Sequence, residues 1–140
     1  MQRAVAIGGA SRASGIKIPT IRYYEQIGLL PSPSRTEGNR RLYDEDDLSR
    51  LRFIRHAREL GFEVDAIRQL LDLAGHPSRP CRDADEIART HLAEIDRKIA
   101  RLSALREEVE RMTRCRNETV ADCRVIEVLG DHCECIHDQH

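Results

Sequence analysis

The sequence predicts a mainly α-helical chain, with a small head of short helices, then one long helix, then a short cysteine-bearing end. Three observations predict it. Aromatic residues make up 4% of the chain and Trp is absent, while 34% of residues are charged, a composition that favours helix. Residues 83–114 contain neither Gly nor Pro, and their apolar residues recur at three- and four-residue steps. Ahead of them, two short helix-forming segments meet at Gly15.

At 140 residues the chain has about one domain's worth of length. Hydrophobic residues, at 40%, suffice for a core, but no apolar run approaches the roughly 20 residues of a membrane-spanning helix. The opening MQRAVAIGGASRASG has no long apolar stretch of the kind that directs export. The expectation is a cytoplasmic protein with no membrane contact.

The elements follow in order. After the short apolar run AVAI, a first helix is expected from about residue 9 to 14, with a turn at Gly15. A second runs from about 18 to 27, with Pro19 allowed in its first turn and Gly28 at its end. Two short helices joined by a tight turn form a helix-turn-helix. Pro31 and Pro33 then exclude helix, and Glu37-Gly38-Asn39 forms a hairpin turn among Arg35, Arg40 and Arg41, which makes a basic wing. Asp44 is an N-cap for a third helix, with Glu45, Asp46 and Asp47 at its positive end. That helix directs Leu48, Leu51, Phe53, Ile54 and Ala57 to the core and runs to Leu60, where Gly61 breaks it. Val64, Ile67, Leu70 and Leu71 mark a fourth helix to about Ala74.

Residues 1–75 thus form a winged helix-turn-helix domain, and 76–82 a linker. Asp83 with Glu86 resembles a capping box opening a helix over 83–114, which would be about 45 Å long. Its stripe of Leu92, Ile95, Ile99, Leu102, Leu105, Val109 and Met112 is too long for a small head to cover. A second copy of the helix would cover it, giving a homodimeric coiled coil whose direction the stripe leaves open. Residues 115–130 hold a seven-residue loop between Cys115 and Cys123, then a short helix carrying Val125, Ile126, Val128 and Leu129. Residues 131–140 form a Cys/His-rich tail.

The net charge of −1 hides an asymmetry. Residues 1–60 hold 11 Lys/Arg against 7 Asp/Glu, a net of +4; residues 61–140 hold 12 against 17, a net of −5. A basic head on an acidic body suits one end to a polyanion, although chance gives such asymmetry too. Thr20, Arg22 and Tyr23 lie at the start of the second helix, where a recognition helix meets base edges. Arg grips guanine or phosphate, and Thr reaches a methyl group or an oxygen. Tyr hydroxyls and the wing arginines suit phosphate oxygens. Each of these residues alone is equally an ordinary surface side chain.

All five cysteines, Cys81, Cys115, Cys123, Cys133 and Cys135, lie in the last 60 residues. An odd count without an export signal points to reduced thiols, hence metal or redox chemistry. Thiolates select soft ions such as Cu(I), Zn(II), Cd(II), Pb(II) and Hg(II). The Cys115/Cys123 spacing is looser than usual for zinc, and two small buried residues near a helix end would look the same. In the tail, His132, Cys133, Cys135, His137 and His140 offer further ligands or are incidental. His91 and Asp122 are outer-sphere options, His91 fitting equally as a polar seam residue; His56 and His76 read as surface residues.

The blocks Ile21-Arg22-Tyr23-Tyr24-Glu25, Gly28-Leu29-Leu30-Pro31, Arg35 and Gly38-Asn39-Arg40-Arg41-Leu42-Tyr43 together resemble the MerR family of metal-responsive transcription regulators. Leu51-Arg-Phe-Ile-Arg55, Leu60-Gly61-Phe62 and the long helix extend the resemblance over about residues 5–130. It implies a symmetric homodimer joined by an antiparallel coiled coil, double-stranded promoter DNA of dyad symmetry, and RNA polymerase as a partner. It implies DNA contacts from Arg22, Tyr23, Arg35, Asn39 and Arg41, with Arg12, Thr20, Arg40 and Tyr43 completing the expected DNA-binding set. Two positions depart from the family pattern. Lys17 stands where a small capping residue is usual, and Arg40 where the wing usually has an aromatic residue.

The resemblance also implies metal ligands at Cys81, Cys115 and Cys123. In an antiparallel pair the start of one helix lies beside the end of the other. Cys81 of one subunit would then join the other two cysteines across the dimer. The seven-residue loop resembles the Cu(I)/Ag(I) branch, which uses two cysteines and has Ser at the start of the dimer helix. Cys81 resembles the divalent branch, for Zn, Cd, Pb or Hg. A third thiolate suits a divalent ion, so that ion is favoured, with Cu(I) as the alternative. The implied function is activation of a metal-resistance or efflux promoter by DNA distortion. A thiol redox sensor on the same scaffold is the competing reading. An enzyme is not expected, since no HExxH, Ser-His-Asp or phosphate-loop motif is present.

Overall fold

The computed structural model describes residues 4–32, 34–38, 40–114, 119–120 and 123–130. The elements are α1 (Ile7–Ser14), α2 (Ile18–Gln26), β1 (Ser34–Arg35), β2 (Arg41–Leu42), α3 (Glu45–Glu59), α4 (Val64–Ala74), α5 (Arg82–Thr113) and α6 (Arg124–Gly130). The mainly helical prediction holds, and so does the order of elements. The chain divides into two units, Met1–Arg89 and Thr90–His140.

The first unit is built around one core. Ile21 and Tyr24 of α2, Leu48, Leu51, Ile54 and Ala57 of α3, and Ile67 and Leu71 of α4 are buried there together with Ala10, Ile16, Leu29, Leu30 and Tyr43. The three- and four-residue spacing within each helix puts these side chains on one stripe, and burying the stripes against each other holds the short helices in place. None of them is long enough to be stable alone in water. Phe53 is the exception to the predicted core face: it is 38% exposed, on the outer side of α3.

The helix ends carry much of the local order. Asp44 and Asp47 form a reciprocal capping box, with Asp47 N donating to Asp44 Oδ1 at 2.9 Å and Asp44 N to Asp47 Oδ2 at 3.1 Å. α1 begins at Ile7, two residues earlier than predicted. α5 also begins early: the Cys81 carbonyl accepts a bond from Asp85 N at 2.9 Å, so Asp83 and Glu86 sit inside the helix and the expected capping box there is not the start.

In the second unit, Leu92, Ile99, Leu102, Leu105 and Val109 of α5 are all exposed. Leu102, Leu105 and Val109 line a shallow groove with Arg106 and Glu110, whose side chains are 3.3 Å apart. No described helix is long and apolar enough to cross a membrane.

Candidate nucleic-acid interface and cysteine site

Helix α2 starts without a side-chain cap. Lys17 occupies the N-cap with extended backbone and makes no capping bond, and Pro19 in the first turn needs no N–H partner. The helix buries Ile21 and Tyr24, which leaves Arg22 and Tyr23 exposed on the opposite side, with Thr20 half-buried. At its far end Gly28 adopts φ 76°, the left-handed conformation that a side chain disfavours. This lets Leu29 N reach the Tyr24 carbonyl at 2.9 Å and Gly28 N the Glu25 carbonyl at 3.1 Å, a Schellman end.

Arginines of α3 and α4 donate to three carbonyls at or just past these helix ends. Arg50 Nε donates to the Leu29 carbonyl and Arg68 Nη2 to the Ile27 carbonyl, each at 2.9 Å. Arg55 Nη1 donates to the Ser14 carbonyl at the end of α1, also at 2.9 Å. Helices α1 and α2 are therefore fixed by charge-assisted bonds at their negative ends as well as by apolar packing. Sequence reasoning missed these three arginines, whose partners are 21 to 41 residues away.

The wing is a short antiparallel hairpin pairing Ser34 with Leu42 and Arg35 with Arg41. Its tip is closed by Thr36 N to the Arg40 carbonyl at 2.8 Å and by Arg40 N to Thr36 Oγ1 at 3.1 Å. Val5 and Tyr43 exchange two backbone bonds of 2.8 Å, which tie the N-terminal segment to the wing. Arg35 and Arg40 are exposed, as is Arg12 in the last turn of α1. Asn39 lies outside the described residues.

Two wing residues face inward. Tyr43 is fully buried and its hydroxyl donates to Glu25 Oε1 on α2. This corrects the expectation of a DNA contact from Tyr43, because a side chain closed in the core cannot reach a phosphate. Burial pushes its pKa well above the usual 10.0, and the bond to Glu25 and that carboxylate's charge push it further. Arg41 Nη1 lies 3.2 Å from Glu25 Oε2, with about a third of its side chain exposed. Glu25 was not singled out in the sequence; nothing local to the Tyr-Tyr-Glu run marks it as a partner of the wing.

The two described cysteines, Cys81 and Cys123, stand at helix starts. Cys81 is exposed just ahead of α5. Cys123 is half-buried ahead of α6, with its N–H on the Val120 carbonyl at 3.2 Å and its carbonyl accepting from Glu127 N at 3.0 Å. Cys115, Asp122, His132, Cys133, Cys135, His137 and His140 lie outside the described residues. Among the described residues no three His, Cys, Asp or Glu side chains converge into a metal site. His91 is half-buried with Nδ1 3.9 Å from Glu94 Oε2 on the same helix. His76 is exposed, its Nδ1 2.8 Å from the Asp72 carbonyl. As donors, Cys81 and Cys123 are thiols, which suit a soft ion once deprotonated.

A helix pair with a glycine turn, an exposed Arg-Tyr pair on the second helix and a basic hairpin beside it define a winged helix-turn-helix DNA-binding protein. The family model described as MerR HTH family regulatory protein matches residues 5–74, and that described as MerR, DNA binding matches residues 48–112. The chain belongs to the MerR family of transcription regulators. It is 44% identical over 126 residues to the HTH-type transcriptional regulator HmrR of Rhizobium leguminosarum bv. viciae, covering 89% of this chain and 97% of that protein. It is 40% identical over 126 residues to heavy metal-dependent transcription regulator 2 of Rhizobium meliloti (strain 1021), covering 89% and 86%. Among solved structures it resembles the transcription regulator PbrR691 of Ralstonia metallidurans CH34 in complex with lead(II). That match has a TM-score of 0.78 and 38% identity over 89% of this chain and 98% of that one. These relatives are regulators of transcription, in line with the expectation of a protein that is not an enzyme.

Proposed function

We propose that the protein is a metal-responsive transcription activator that binds promoter DNA as a homodimer and responds to a divalent soft ion, Zn, Cd, Pb or Hg, held by thiolates of Cys81, Cys115 and Cys123. The observation that carries the reading is the exposed apolar stripe of α5, from Leu92 to Val109, with Cys81 just before the helix and Cys115 just after it. An exposed stripe of this length is what a second copy would cover. If the two helices run antiparallel, Cys81 of one subunit comes beside Cys115 and Cys123 of the partner subunit. Metal occupancy is then tied to dimer geometry. The lead(II) complex of the similar regulator and the heavy-metal dependence of the relative support the choice of effector.

In this reading residues 1–75 bind DNA, 76–82 link, 83–114 pair the subunits, and 115–130 sense the ion. The tail 131–140 is a source of additional ligands in His132, Cys133, Cys135 and His137. Arg22, Tyr23 and Thr20 face the major groove. Arg12, Arg35, Asn39 and Arg40 contact phosphates, and Arg41 stands between the wing and α2. The ion shifts the paired helices, the heads turn, and the DNA between them bends so that RNA polymerase engages the promoter. Bending a site of this size costs on the order of 1–6 kcal/mol, and the ion supplies it only by binding the activating state more tightly. A second reading, Cu(I) bound by Cys115 and Cys123 alone, is favoured by their seven-residue spacing.

The test is transcription by RNA polymerase in vitro from the chain's own promoter with Zn(II), Cd(II), Pb(II), Hg(II) and Cu(I) each added to the reduced protein. Activation by a divalent ion supports the reading. Activation by Cu(I) alone moves it to the second. Activation by a thiol oxidant without any ion overturns both in favour of redox sensing.

A further inference from the structure

Glu25 is an acidic residue on the helix that presents Arg22 and Tyr23 to solvent, one turn beyond Arg22. A bare carboxylate there would repel a phosphate backbone. It is not bare: its side chain is only 9% exposed, and both oxygens are engaged from the wing, Oε1 by the Tyr43 hydroxyl and Oε2 by Arg41 Nη1. Tyr43 is itself fixed, buried in the core and bonded through its backbone to Val5.

The wing's own backbone ladder is short. Its two strands are two residues each. So short a ladder cannot set the direction of the tip, where Arg40 is exposed. The Glu25 carboxylate adds a polar link from β2 and the residue after it to the exposed helix.

We propose that Glu25 is a positioning residue for DNA recognition: it holds Arg41 off the phosphates and locks the wing to α2, so that the wing cations and the groove-facing side chains meet DNA in one fixed register. The proposal rests on the DNA-binding assignment of α2 and the wing. It assigns Arg41 a role different from that of Arg40. Arg40 neutralises phosphate; Arg41 neutralises Glu25. Phosphate contacts fix register and base contacts give sequence, so a wing free to swing would bind more DNA and discriminate less.

The experiment compares the full-length protein with Glu25→Gln, Arg41→Met and the double variant. Each is titrated with a duplex that the wild-type protein has selected from a random pool and with an unselected duplex, over a range of salt. Gln keeps the volume and an acceptor for Tyr43 while losing the charge. The expected result for Glu25→Gln is a log–log salt slope steeper by about one phosphate, roughly 0.9, and a selected-to-unselected affinity ratio that falls severalfold. Arg41→Met alone leaves the slope unchanged, and in the double variant it removes the added slope. The proposal is overturned if Arg41→Met alone flattens the slope, since Arg41 then already sits on phosphate. It is equally overturned if Glu25→Gln loses melting temperature and affinity for both duplexes together with no change in slope or ratio, which is the signature of a purely structural residue. Failure of the wild-type protein to bind either duplex would overturn the DNA-binding assignment and this proposal with it, an outcome distinct from unchanged slopes.

Discussion

The Arg55 guanidinium lies where a side chain on Gly15 would have to go, and it donates to the carbonyl of the residue before, Ser14, at 2.9 Å. Gly15 has φ 75°, so the turn between α1 and α2 uses both the freedom and the smallness of glycine. Ser11 and Ser14 tie the same turn, with Ser11 Oγ on the Ile16 carbonyl at 2.6 Å and Ser14 Oγ on the Ala10 carbonyl at 2.7 Å.

Gly15→Ala is therefore expected to destabilise the head twice over. The left-handed backbone costs about 1–2 kcal/mol for a residue with a Cβ, and displacing Arg55 loses a bond worth about 1.5–3 kcal/mol to a charged donor. Chemical denaturation of Gly15→Ala, Arg55→Ala and the double variant separates the two. In the Arg55→Ala background the cost of Gly15→Ala should shrink to the backbone part. An undiminished cost would mean that the guanidinium yields freely.

The alkaline limit of stability should be set at Tyr43. Its pKa is raised in the folded protein, by burial first and then by Glu25, while in the unfolded chain it returns to about 10. Between those values the unfolded state has lost the proton and the folded state has kept it. Stability on this account is full below about pH 10 and falls as pH rises beyond it. Tyr43 should yield its tyrosinate absorbance only on unfolding. In Tyr43→Phe that alkaline loss should largely disappear, although the variant is less stable at neutral pH by about 1–3 kcal/mol because Glu25 loses a donor. Parallel denaturant midpoints for both proteins across neutral to alkaline pH check this, and identical slopes would refute it.

The helices were legible in the sequence because their core residues repeat at helical spacing and their ends are punctuated by Gly28, Asp44 and Gly61. Phe53 shows the limit of that signal. Leu48, Leu51, Ile54 and Ala57 already complete the buried stripe of α3, and an extra apolar residue beside a full stripe has nowhere to go but outward. Tyr43 shows another limit. Its hydroxyl suggested a surface role, but its partner Glu25 lies 18 residues earlier, beyond any local pattern. The carbonyl-capping arginines were hidden for the same reason. The cysteine end was legible as chemistry and not as geometry, because the proposed ligand set would draw on two chains and a single helix stripe does not fix their direction.

Arg22 tests the groove-facing assignment. It is exposed one residue after the buried Ile21 and next to Tyr23, which is 51% exposed. Arg22→Ala should weaken binding to a selected duplex by about 1–3 kcal/mol and relax sequence preference if it contacts a base. If it contacts phosphate instead, affinity for all duplexes should fall together and the salt slope should flatten. Unchanged binding on both measures would take Arg22 off the interface.

The cysteines should separate sensing from DNA binding. Cys123 directly precedes the seven-residue α6, and Cys81 the 32-residue α5; neither belongs to α1, α2 or the wing, the elements assigned to DNA. Cys115→Ser and Cys123→Ser should each abolish metal-dependent transcription while affinity for promoter duplex changes by less than about twofold, within the scatter of a surface substitution. Cys81→Ser should lose the response to Zn(II), Cd(II), Pb(II) and Hg(II), because two thiolates neutralise a divalent charge less completely than three. A Cys81→Ser protein that still responds fully to divalent ions would remove the third thiolate and leave the two-cysteine Cu(I) site as the better reading. Loss of duplex binding in Cys115→Ser or Cys123→Ser would instead show that the cysteine end supports the fold of the dimer itself, and the division into head and sensor would fall.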